Sequence, residues 1–125
     1  MAETLMKPGK LTHAVIVSFN DNEIRAVAPS NFTPSQEGLR QVVAALKGDM
    51  SGLAAHGIDL GDGTDACTPG KIDSGKAIYA SRGNGGGCVV FKSAECVLVG
   101  FYKEDPASAT RLCSEVAEHM TEQGH

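Results

Sequence analysis

The segment from Ala77 to Tyr102 restricts the fold more than any other part of the chain. It holds three apolar runs, Ala77 to Ser81, Cys88 to Lys92 and Cys96 to Tyr102. Between them stand little more than Gly83-Asn84-Gly85-Gly86-Gly87 and Ser93-Ala94-Glu95. A parallel crossover needs about a dozen residues or more, so strands joined this closely must run antiparallel. A meander of sequential antiparallel strands is therefore expected at the centre of the molecule.

Two more strands are expected near the N-terminus. His13 to Phe19 reads HAVIVSF, a β-branched run suited to burial on both faces, and Asn20-Asp21-Asn22 turns it into Glu23 to Ala28, which alternates apolar with polar residues. Thr33-Pro34 followed by Gln36 reads as a helix start with Thr33 as the cap. Leu39, Val42, Val43 and Leu46 then form one apolar stripe before Gly48 stops the helix. Residues 50 to 75 are interrupted by Gly and Asp, which leaves room only for short strands at Gly57 to Leu60 and Thr64 to Thr68. The last helix opens at Asp105-Pro106 and runs to about Gln123, with Gly124 as its stop. Its inward face carries Ala109, Leu112, Cys113, Val116, Ala117 and Met120, and its outward face Thr110, Arg111, Ser114, Glu115 and Glu118. With 125 residues and no repeat or linker, the expectation is one α+β domain spanning residues 1–125, a central antiparallel sheet flanked by helices.

Charge and motifs narrow the function by exclusion. A formal net charge of −4 lacks the Lys and Arg excess that drives nonspecific nucleic-acid binding. The N-terminus has no apolar stretch of signal length and no run approaches 18 apolar residues, so a cytoplasmic protein without a transmembrane segment is expected. In that compartment Cys67, Cys88, Cys96 and Cys113 are expected to be reduced and buried, and the sequon Asn31-Phe32-Thr33 unmodified.

Gly70-Lys71-Ile72-Asp73-Ser74-Gly75-Lys76 matches GxxxxGK, yet Ala77 follows where a phosphate loop needs Ser or Thr, and a strand follows where it needs a helix. Asp59, Asp62, Asp65 and Asp73 do not match a calcium loop, and the His and Cys residues show no zinc spacing, so neither metal nor cofactor is expected. No cysteine nucleophile can be paired with a base from the sequence, and an enzyme is not expected.

The chain resembles profilin. The resemblance rests on Ile78-Tyr79, the Gly-rich hairpin ending at Gly85-Gly86, Val97-Leu98-Val99-Gly100-Phe101-Tyr102 and Glu122-Gln123-Gly124. Upstream, Thr12 to Ile16, Asn31 to Pro34 and Gly57 to Gly61 follow in the same order, so it covers about residues 12 to 124. It implies N- and C-terminal helices on one face of the sheet and binding of monomeric actin, which regulates filament assembly in the cytoskeleton. It further implies capture of proline-rich ligands between the terminal helices, and contact with phosphoinositide headgroups.

Carried over residue by residue, the resemblance puts Arg111, Glu115 and Thr110 against actin. Arg82 follows, for actin or for phosphoinositide, as does Ala55, which with Ala54 stands where larger apolar residues are common. His119, Met120 and His125 fall at proline-ligand positions, and Arg25 stands where the family carries Trp. With no Trp in the chain and the N-terminal helix shortened to Ala2 to Met6, proline-rich binding is expected to be weak or lost. The competing expectation is a scaffold domain of the same fold that does not recognise actin.

Overall fold

The computed structural model describes residues 11–21, 23–28, 33–49, 51, 57–58, 60, 67–73, 76–81, 86–103 and 106–124. Six strands form one sheet: β1 (His13–Ser18), β2 (Ile24–Ala28), β3 (Thr68–Asp73), β4 (Ala77–Ser81), β5 (Gly87–Lys92) and β6 (Cys96–Tyr102). Helix α1 (Gln36–Leu46) lies between β2 and β3 in the chain, and α2 (Pro106–Glu122) follows β6. The strand order is β2-β1-β6-β5-β4-β3, with every neighbouring pair antiparallel. The expected N-terminal helix, Ala2 to Met6, lies outside the described residues.

Strand alternation divides the interior into two cores. On one face Val15, Val17, Val97, Val99, Phe101, Val90 and Ile78 pack with Leu39, Val42, Val43 and Leu46 of α1, beside Ile58, Leu60 and Cys67. On the other face Ala14, Ile16, Val89, Leu98 and Tyr102 pack with Ala109, Cys113, Val116 and Met120 of α2. The helix comes close because its inward side chains at Ala109 and Cys113 are small and so are Ala14 and Gly100 opposite them. A Cβ on Gly100 would stand 2.7 Å from the Cys113 sulfur and 3.2 Å from a Leu11 methyl.

Three local features differ from the sequence reading. The cap of α1 is Ser35, not Thr33: its hydroxyl accepts a 3.2 Å bond from the Gly38 N–H, and its own N–H donates to Leu60 O at 2.8 Å. Where a strand was expected from Gly57 to Leu60, Ile58 forms only an isolated bridge with Cys67. Of the other expected strand, Thr64 to Thr68, residues 64–66 lie outside the described residues. The third difference is β3 itself, which runs through half of the GxxxxGK match. Its pairing with β4 supplies what Pro69, Gly70 and Asp73 lack in β propensity, and it lies at an edge with a register shift between Pro69 and Lys71.

None of the four cysteines forms a disulfide, and all four are buried. Burial pushes the Cys113 thiol up from 9.0 to about 12. A folded-state value above the unfolded one contributes stability that is fully present below pH 9 and is lost as pH rises toward 12. The urea midpoint is therefore expected to fall over that range, and more gently in a Cys113→Ala variant. Equal alkaline slopes for the two proteins would overturn this account.

Candidate functional site

The exposed face of α2 carries the expected polar stripe. Arg111 Nε donates to Glu115 Oε1 at 3.3 Å, both side chains largely in solvent, and Thr110 lies half-buried beside them. One turn further on, Ser114 and Glu118 face an open cleft of about 680 Å³ between α2 and the sheet. Its sheet wall is made by Lys76, Ala77, Tyr79, Phe91 and Lys92, and Thr121 and Glu122 extend the helix wall. Register explains why two aromatics meet there: Ala77 pairs with Phe91, so Tyr79, two residues on, shares the face of Phe91. The rings sit edge to face at 5.9 Å, and the Lys71 ammonium lies 5.6 Å from the Tyr79 ring centre.

Tyr79, Phe91 and Lys76 were not singled out from the sequence as site residues. Their alternation was visible, but only the pairing register shows that they share one half-buried patch. Arg82 and Ala55 lie outside the described residues.

A second cleft, of about 510 Å³, opens on another side of the C-terminal half of α2, at Met120. Ile16, Ala26, Cys96 and Met120 line it with Ser18, Asn20, Asp21, Arg25 and Glu95. Arg25 and Met120, far apart in sequence, are thus brought together. Met120 is buried, whereas its neighbour His119 points to solvent and is not among the described lining residues. His125 lies outside the described residues.

Arg25 reaches this cleft through an irregularity in β2. Ile16 pairs with Ala26 and Val17 with Ile24, so Arg25 is the extra residue of a bulge. Ile24 and Val27, three residues apart, both pack on the α1 side, which a regular strand does not allow. Arg25 is 3.8 Å from Asp21. The Asp21 carboxyl is held below its ordinary range by the Glu23 N–H, by the Ser18 hydroxyl and by Arg25. Desolvation raises the Cys96 thiol; Arg25 opposes this, and Glu95 and Asp21 add to it.

No cluster of three or more His, Cys, Asp or Glu suited to a metal occurs among the described residues, and none of their helices is long and apolar enough to cross a membrane. A family model described as Profilin matches residues 1–125. The chain belongs to the profilin family. Structures agree: profilin IA of Acanthamoeba castellanii superposes with a TM-score of 0.85 at 22% identity, covering 99% of this chain and 96% of that one. Schizosaccharomyces pombe profilin gives 0.84 at 22% identity, over 99% and 96% of the two chains. Mouse profilin IIa, in complex with a double repeat from the FH1 domain of mDia1, gives 0.74 at 17% identity over the same shares. No curated protein sequence matches. The profilin fold thus accounts for the six-stranded antiparallel sheet and for α2 packed along one face of it.

Proposed function

We propose that this protein binds monomeric actin and regulates filament assembly by occupying one end of the monomer, with no catalytic step and no cofactor. The surface assigned to actin is the outer stripe of α2, Thr110, Arg111, Ser114 and Glu115, together with the adjoining Tyr79 and Phe91 cleft. The observation that carries this reading is the junction of a charged helix face with a half-buried aromatic pair. Interfaces are commonly anchored by aromatic and Arg residues set within a polar rim. Arg82 and Ala55 belong to the same proposed surface through the family resemblance.

In this reading the protein works in the cytoplasm, in association with the cytoskeleton. Lys71, Lys76 and Lys92, with Arg82, are the cations that a phosphoinositide headgroup would meet. The cleft holding Arg25 and Met120 is the peptide site, to which the family resemblance also assigns His119 and His125. It retains an apolar floor, but an arginine replaces an aromatic wall, so ligands made only of proline bind it weakly.

The test is a calorimetric titration into purified monomeric actin, with filament growth followed in parallel. Binding in about the micromolar range, near −8 kcal/mol, is expected. Absence of heat and of any effect on growth, with the protein folded, would move the function to a scaffold role of the same fold.

A further inference from the structure

We propose that the cleft lined by Arg25 and Met120 selects a cationic side chain, Arg or Lys, on an extended peptide, and that Glu95 is the residue that selects it. The inference rests on the reading of this cleft as the peptide site and names the chemistry of its ligand.

Charge placement around the rim carries the argument. Arg25 and Asp21 offset each other, and Asp21 is further engaged by Glu23 and Ser18. Glu95 is left as the uncompensated charge: it is exposed and makes no ion pair among the described residues. Its backbone is fixed. The Phe19 N–H donates to Glu95 O at 2.9 Å, and the turn that carries it is closed by Ser93 N–H to Cys96 O at 2.8 Å and Cys96 N–H to Ser93 Oγ at 3.1 Å. A carboxylate carried at a rim on a fixed turn favours a ligand of opposite charge.

The floor fits the same ligand. Among the described lining residues there is no aromatic ring, so the flat stacking that a proline helix uses is absent there. Ile16, Ala26 and Met120 offer an aliphatic surface instead. The methylene stem of Arg or Lys lies along such a surface while its charged head stays at the wet rim, where guanidinium can meet a carboxylate through paired hydrogen bonds.

Three labelled peptides of about ten residues test this by fluorescence anisotropy: proline only, proline with two central arginines, and proline with two central glutamates. The arginine peptide is expected to bind at least about tenfold more tightly than the others, a difference of about 1.4 kcal/mol. Glu95→Lys should abolish that preference. Glu37→Lys, on the opposite face of the sheet, should keep it, which separates local selection from attraction to the net negative chain. Equal binding of all three peptides would leave the peptide site standing and overturn the charge selection. An arginine preference that survives Glu95→Lys would overturn the role of Glu95. If no peptide binds, with all variants shown folded by thermal unfolding, both the peptide site and the proposal fall.

Discussion

Gly100→Val is expected to destabilise the fold by about 3 kcal/mol, the upper part of the range for overpacking a core. Gly100 lies in the middle of β6, which is hydrogen-bonded on both sides, by β1 and β5. It cannot retreat sideways. Its added Cβ would meet the Cys113 sulfur at 2.7 Å and the two Leu11 methyls at 3.2 and 3.3 Å, before the valine methyls are counted. Strand propensity alone favours valine over glycine, so the sign of the effect separates packing from propensity. Urea unfolding measures it. Cys113→Ala in the same chain should return about 1 kcal/mol or more through direct coupling, because it removes the nearest obstructing atom. A neutral or stabilising Gly100→Val would show that α2 does not lie as close to β6 as described.

Arg111→Glu is expected to weaken actin binding by about thirtyfold or more, roughly 2 kcal/mol, while the fold stays intact. The intact fold follows from the exposure of the pair: Arg111 and Glu115 side chains retain 82% and 62% of their accessible surface. An ion pair so exposed contributes little, and like charges at i, i+4 cost only about 0.5 kcal/mol. The large effect is confined to the interface, where reversal sets a carboxylate against whatever carboxylate the arginine met. Unchanged actin affinity in a folded variant would remove this helix face from the proposed surface. The Glu115→Lys variant gives an independent reading, since it leaves Arg111 in place but breaks the same pair.

Where each element's own residues carried its pattern, the sequence was a good guide. β1, β4, β5 and β6 are short apolar runs bounded by turn residues, and α2 has a helical stripe between Pro106 and Gly124. Gly48, at φ +111°, ends the α1 region as its sequence position suggested. Features that depend on a partner strand were hidden. β3 contains Pro69, Gly70 and Asp73, residues typical of loops, and becomes a strand only because β4 is beside it.

The candidate site residues divide in the same way. The stripe Thr110, Arg111, Glu115 follows from helical spacing, whereas the Tyr79 and Phe91 contact depends on the β4–β5 register. The bulge that carries Arg25 to the Met120 cleft is invisible in a segment that alternates well enough to pass for a regular strand. Ser35 displaced Thr33 as the cap for a reason of reach: its hydroxyl is the one that meets the free N–H of Gly38.

The strand order also governs when the molecule can come into being. β1 is made early in synthesis, yet one of its two partners, β6, is the last strand to be made. A nascent chain that has not reached Cys96 has two incomplete pieces, each with an unsatisfied backbone edge on the side that β6 will join. Such distant pairing closes a long loop late and folds slowly compared with local contacts. β6 therefore acts as a keystone: translation delivers it just ahead of α2, and one strand unites the halves of the sheet while the helix after it seals one face.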